Sequence, residues 1–167
     1  MEKVLVIYPD KCTGCKVCEM VCSLHHENEI NPIKSRIQVI SWEDKGIDVP
    51  MVCQQCEDPP CEAACPTHAI YRDPQTGAML IKEETCIGCR MCVNACPFGG
   101  CSIHPDTRQV IKCDLCSGEP QCVEFCASHA IEYIPVSKGV LLKKRAAAQK
   151  LGELFQTLAT TSTPYDL

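Results

Sequence analysis

Cys86-Ile87-Gly88-Cys89-Arg90-Met91-Cys92-Val93-Asn94-Ala95-Cys96-Pro97 is the stretch that decides how this chain folds. Three cysteines stand at intervals of three residues, a glycine lies between the first two, and a fourth cysteine, capped by proline, follows about one helical turn later. Working outward, the same layout returns three more times. Upstream are Cys12-x2-Cys15-x2-Cys18-x3-Cys22 and Cys53-x2-Cys56-x4-Cys61-x3-Cys65-Pro66, and downstream is Cys113-x2-Cys116-x5-Cys122-x3-Cys126. Sixteen of the 17 cysteines belong to these four motifs, and only Cys101 is left over.

The motifs alternate in kind. Cys12-Thr-Gly-Cys15-Lys-Val-Cys18 matches Cys86-Ile-Gly-Cys89-Arg-Met-Cys92. Cys61-Glu-Ala-Ala-Cys65-Pro-Thr-His-Ala-Ile70 matches Cys122-Val-Glu-Phe-Cys126-Ala-Ser-His-Ala-Ile131. A two-motif unit near 12–73 therefore recurs near 86–134, and two such units together make one core.

About a tenth of the residues are cysteine, a density typical of secreted disulfide scaffolds. An odd count argues against a closed disulfide framework. The start, Met1 to Pro9, carries an apolar run too short for a secretory signal, and no twin-arginine leader is present. The expected location is the cytoplasm, with cysteines kept as thiolates on metal. No apolar run approaches the roughly 20 residues of a membrane span. One Trp, three Phe and four Tyr make only a modest core, so bound cofactors are expected to contribute folding free energy.

Zinc also uses C-x2-C knuckles, but it takes two separated pairs. Three cysteines within seven residues and a fourth one turn on suit a cubane [4Fe–4S] cluster instead. Three thiolates wrap three irons from a tight loop, and Gly14 and Gly88 allow that loop its positive φ or close approach. Loop amides then face the sulfurs. Four motifs predict four [4Fe–4S] clusters. Each oxidised cube with its thiolates adds about −2 to a formal charge of −5. A chain this acidic has no basic patch for phosphates, so nucleic acid is excluded as a partner.

The expected fold is α+β. Short strands are predicted at Val4–Ile7, Arg36–Trp42, Ile47–Val52, Ala69–Arg72, Ala78–Ile81, Ser102–His104 and Val110–Lys112. Hairpin turns fall at Asp44-Lys45-Gly46, Asp73-Pro74-Gln75-Thr76-Gly77 and Pro105-Asp106-Thr107. Short helical turns separate the third and fourth cysteine of each motif. Residues 1–136 form the cluster domain, with intertwined halves near 1–75 and 76–136, and 137–167 form a helical extension and tail. Within it Lys138 to Thr160 reads as an amphipathic helix, with Leu151, Leu154, Phe155 and Leu158 on one face. It either docks on a catalytic subunit or second copy, or packs back on its own domain.

The chain resembles the four-cluster ferredoxin-type electron-transfer subunits of molybdopterin oxidoreductases related to dimethyl sulfoxide reductase. It is more closely similar to the smaller iron–sulfur subunits that accompany tungsten-dependent aldehyde oxidoreductases and carbon monoxide dehydrogenases. The residues that carry this are Asp10-Lys11-Cys12-Thr-Gly-Cys15-Lys-Val-Cys18-Glu19, Cys22-Ser-Leu-His-His-Glu27 and Asn31-Pro32-Ile-Lys-Ser-Arg36-Ile37, within a likeness that spans 3–135. The resemblance implies duplicated bacterial-ferredoxin-like halves, and a pairing of motif one with four and two with three. One cluster then takes Cys12, Cys15, Cys18 and Cys126. A second takes Cys22, Cys113, Cys116 and Cys122. A third takes Cys65, Cys86, Cys89 and Cys92, and the fourth takes Cys53, Cys56, Cys61 and Cys96. Spacing alone also permits one with two and three with four. Proline after Cys65 and Cys96, but not after Cys22 and Cys126, sorts the motifs into the couples the resemblance implies.

No nucleotide loop and no nucleophile–base pair is visible. The expected role is therefore a non-catalytic electron-transfer subunit, wired to a tungsten or molybdenum pterin enzyme, with further copies of itself or a flavin subunit as other partners. The alternatives are a free-standing polyferredoxin and the electron-transfer partner of a nickel carbon monoxide dehydrogenase. Lys11, Lys16, Arg90 and Lys112 adjoin cysteines of the motifs, and two roles are open to them: raising cluster potentials, or solvated surface charge. Cys101 reads as a buried free thiol and Trp42 as core. His25 and His26 follow Cys22 closely, which leaves contact with a cluster open, but they read first as exposed or capping residues. His68 and His129, at equivalent repeat positions, read as sharing a structural role such as a hydrogen bond near sulfur.

Overall fold

The computed structural model describes residues 3–141. Four antiparallel strand pairs carry the cysteine loops. β1 (Lys3–Ile7) opens the chain and pairs with the late strand β8 (Ile131–Pro135), Lys3 opposite Pro135 and Ile7 opposite Ile131. The other pairs are local hairpins. β2 (Ile37–Trp42) pairs with β3 (Ile47–Val52), β4 (Ile70–Arg72) with β5 (Met79–Ile81), and β6 (Cys101–Ile103) with β7 (Val110–Lys112). Pro50 is tolerated inside β3 because a two-stranded sheet consists of edges.

The hairpin turns are built by side chains acting as backbone acceptors. Asp73 Oδ2 takes the Thr76 amide at 3.0 Å and the Thr76 hydroxyl at 2.5 Å, and Gly77 follows at φ 74°. In the repeat, His104 replaces the aspartate: its Nδ1 accepts the amides of Asp106 and Thr107, each at 3.2 Å. With Nδ1 accepting, Nε2–H donates to Glu27 Oε2 at 3.2 Å, tying this turn to the first motif's helix.

Four helices separate the third and fourth cysteines: α1 (Val17–Glu27), α2 (Pro60–Ala63), α3 (Met91–Ala95) and α4 (Gln121–Glu124). Three are single turns as expected, and the helices ahead of Pro66 and Pro97 end before those prolines. α1 is longer, with 11 residues; Ser23 stands where proline follows Cys65 and Cys96, which leaves the helix free to continue, although α4 stays short without a proline. The Ser23 hydroxyl donates to Met20 O and accepts the Asn31 amide, both at 3.0 Å, so the fully buried serine also anchors the returning loop.

The duplication is visible in the backbone. Gly14 and Gly88 have φ 66° and 67°, and Lys16 and Arg90 have 58° and 64°. In the other motif type Gln55 and Leu115 have 50° and 59°, and His68 and His129 have 50° and 52°. The two histidines thus share a structural role, as their repeat positions suggest: each makes a left-handed turn and donates its amide to the carbonyl of the fourth cysteine before it, Cys65 or Cys126.

In space α1 packs on α4 and α2 on α3. One apolar cluster gathers Leu5, Ile37, Val52, Leu115 and Ile131 around Cys22, Cys53, Cys113 and Cys122. The other gathers Ile70, Met79 and Val110 around Cys61, Cys92 and Cys101. Outer motifs thus meet outer, and inner meet inner. Trp42 is not core: it ends β2 at 45% exposure. A fifth helix, α5, begins at residue 136 and runs to the last described residue, 141. It lies so close to the β1–β8 pair that a Cβ on Gly139 would stand 3.2 Å from Val4 Cγ1. The apolar face expected at Leu151, Leu154, Phe155 and Leu158 lies outside the described residues.

Candidate metal centres

Two recesses of nearly equal size, about 320 and 330 Å³, lie on equivalent loops. Cys12, Cys15, Cys18 and Cys126 line the first, closed by Val39, Pro50 and Phe125. Cys65, Cys86, Cys89 and Cys92 line the second, closed by Ile70, Ile81 and Val110. In each, three thiols come from one loop and the fourth from the other motif type. No carboxylate or imidazole lines either recess. This donor set suits a thiolate-bound iron–sulfur cube better than a hard cation.

The remaining eight motif cysteines lie between these recesses. Cys22 is an electrostatic neighbour of Cys113, Cys116 and Cys122. Arg36 clamps the two motifs: its amide donates to Cys22 Sγ at 3.3 Å and its Nη1 to Asp114 Oδ2 at 2.8 Å. Cys53 neighbours Cys61. Gly100 joins Cys53 to Cys96, since its amide donates to Cys96 Sγ at 3.2 Å while a Cβ on it would lie 2.7 Å from Cys53 Cα. Cys56 ends the same loop as Cys53, and its carbonyl accepts the Arg72 guanidinium.

Neighbouring thiols link the motifs in a chain. Cys18 and Cys22 lie one turn apart on α1, and Cys18 neighbours Cys122. Cys113 neighbours Cys53, and Cys92 neighbours Cys61. Cys15 and Cys89, in the two recesses, are exposed, whereas Cys22, Cys53, Cys61, Cys92, Cys101, Cys113 and Cys122 are buried.

Burial pushes the Cys18 and Cys113 thiols up to about 12, and raises Cys53, Cys92, Cys116 and Cys122 as well. Without cations these sulfurs stay protonated, so loading iron must displace their protons. Cys65 and Cys126 differ. Burial opposes ionisation of Cys65, but the Ala69 amide at 3.2 Å and the Thr67 hydroxyl at 3.7 Å bring it below the ordinary thiol value. Burial likewise opposes ionisation of Cys126, and the Ser128 hydroxyl at 3.7 Å helps lower it. Cys61 is lowered by a hydrogen bond from Cys101, against burial, with Lys112 Nζ 3.9 Å from its sulfur. Cys101 is buried as expected, but it faces another cysteine rather than plain core.

Several supporting residues carry no sequence signal. Glu19 is buried and accepts the Val39 amide at 2.5 Å, tying α1 to β2. Arg72 donates to the carbonyls of Cys56, Glu57 and Gly77. His26 corrects the expected exposed or capping role. It is half-buried, with Nε2 3.4 Å from Asp114 Oδ1 and 3.9 Å from Cys116 Sγ, and burial lowers its pKa to about 4, leaving a neutral imidazole. His25 is exposed, as expected.

Comparison with known proteins agrees with this geometry. Residues 45–136 match the family model of the 4Fe-4S dicluster domain, and residues 5–23 match that of the 4Fe-4S binding domain. The chain is 50% identical over 122 residues to the aliphatic sulfonate oxidoreductase, polyferredoxin-like subunit, of Pyrococcus furiosus, covering 73% of this chain and 70% of that one. It is 34% identical to an iron-sulfur protein of Rhodospirillum rubrum, covering 92% and 94%. It is 35% identical to the electron transport protein HydN of Escherichia coli, covering 78% and 87%. No described helix is long and apolar enough to cross a membrane.

Proposed function

Since this chain belongs to the 4Fe-4S dicluster family and is an iron–sulfur electron-transfer subunit like its relatives, we propose that it relays single electrons between a tungsten or molybdenum pterin oxidoreductase and a second redox partner. The proposed ligand sets are Cys12, Cys15, Cys18 and Cys126; Cys22, Cys113, Cys116 and Cys122; Cys53, Cys56, Cys61 and Cys96; and Cys65, Cys86, Cys89 and Cys92.

The observation that supports this reading is the chain of neighbouring motif thiols, largely buried, with Cys15 and Cys89 exposed in the two recesses at its ends. Each cube supplies a one-electron couple when bound. The chain's own part is to fix the spacing, exclude water and set the polarity around each sulfur. Exposure at both ends gives an entrance and an exit, which a relay needs. The pterin partner is supported by the sequence resemblance and by likeness to a subunit of an oxidoreductase.

The test is anaerobic purification from the native cell, with metal analysis of whatever accompanies the chain. Tungsten or molybdenum in stoichiometric association supports the reading. Nickel would transfer the chain to a carbon monoxide dehydrogenase, and a lone iron-loaded chain would make it a free carrier.

A further inference from the structure

Four cationic side chains adjoin cysteines of the motifs, and the fold separates them. Lys11, Lys16 and Arg90 are exposed, whereas Lys112 is 5% exposed. Solvent screens the first three. Lys112 is brought inward by strand register: it stands directly opposite Cys101 in the β6–β7 pair, so both side chains leave the same face. That face meets the second motif. Lys112 Nζ lies 3.9 Å from Cys61 Sγ, and its charge also acts on the buried sulfurs of Cys53 and Cys101. Among the described residues no carboxylate forms an ion pair with it. A buried ammonium without a counter-ion is costly. The negative charge available here is that of the thiolates and the cube they hold.

We propose that Lys112 is a positioning residue that raises the reduction potential of one cluster, the one held by Cys53, Cys56, Cys61 and Cys96, above what its ligands alone would set. This rests on the ligand assignment proposed above. Adding one electron takes that centre from about −2 to about −3, counting its thiolates. No bond forms or breaks and no proton moves. The fixed ammonium stabilises the more negative state more strongly, and burial keeps the effect from being screened. That site thereby becomes the one that holds an electron most readily.

The test is a potentiometric titration of the full chain with dithionite and mediators, read by electron paramagnetic resonance. Wild type is compared with Lys112→Met, Lys112→Gln and Lys112→Arg, and with exposed Lys11→Met. Both neutral variants are expected to lower the reduction equilibrium constant of one cluster by about tenfold, about 59 mV for one electron. Lys112→Arg restores most of it, and Lys11→Met leaves all four within about twofold. Four loaded clusters with unchanged potentials in both neutral variants would overturn the inference and leave the ligand assignment intact. Loss of one cluster in both would also overturn it, making Lys112 a requirement for assembly. A wild-type chain that itself holds fewer than four clusters would overturn the assignment and the inference together.

Discussion

Gly100→Ala tests whether motifs two and three share a cluster. A Cβ at this position would lie 2.7 Å from Cys53 Cα, 3.2 Å from its Cβ and 3.3 Å from its nitrogen. Carbon atoms pack at about 3.5–4.0 Å, so the nearest contact is about an ångström too short. The obstacle is backbone, which cannot swing aside as a flexible side chain would. The Gly100 amide also donates to Cys96 Sγ at 3.2 Å. Relief therefore moves Cys53 away from Cys96, two ligands assigned to one cube. Overpacking of this kind costs about 1–3 kcal/mol, and loss of the cluster adds its share of folding free energy. Gly99→Ala is the control. Its Cβ meets nothing within 4 Å, but φ is +60°, so it bears only the left-handed penalty of about 1–2 kcal/mol. Iron, labile sulfide and thermal stability are measured on both. Gly100→Ala is expected to lose about a quarter of the iron, four atoms of about 16, while Gly99→Ala keeps all of it and melts somewhat lower. Full iron and wild-type resonance spectra in Gly100→Ala would refute the reasoning.

Other outcomes follow from the same geometry. Cys22→Ser and Cys122→Ser should each perturb one cluster and together no more than one, because they are assigned to the same cube, whereas Cys22→Ser with Cys61→Ser should perturb two; paramagnetic resonance of the reduced proteins counts them. Glu19→Ala strands the buried Val39 amide and should cost about 1–3 kcal/mol, measured as a denaturation midpoint in the iron-loaded protein, while Glu19→Gln keeps an acceptor and costs less. Removing iron with a chelator should abolish cooperative unfolding and open the loops to protease, since the buried cysteine clusters lose the ligand that holds them together.

Much of this was legible in the sequence because it is local. The motifs state their own spacing, and the Asp73–Gly77 and Pro105–Thr107 turns announce their hairpins with the residues that build them. What escaped depends on contacts distant in the chain. β1 pairs with a strand that begins at Ile131, and nothing in Lys3–Ile7 names its partner. The length of α1 is not told by the missing proline at Ser23, since α4 lacks one too and stays a single turn. Trp42 reads as core by type, yet it sits at the open end of a two-stranded hairpin. Lys112 looks like any lysine beside a cysteine until the β6–β7 register turns it inward. Glu19 and Arg72 act on backbone groups 15 to 20 residues away, for which a sequence carries no mark.

The central claim, four cubane clusters in one small relay, is tested most directly by counting iron and acid-labile sulfide in the chain purified without oxygen. The account predicts about 16 of each per chain. About four zinc per chain with no labile sulfide would contradict it, because zinc would then occupy the thiol sites.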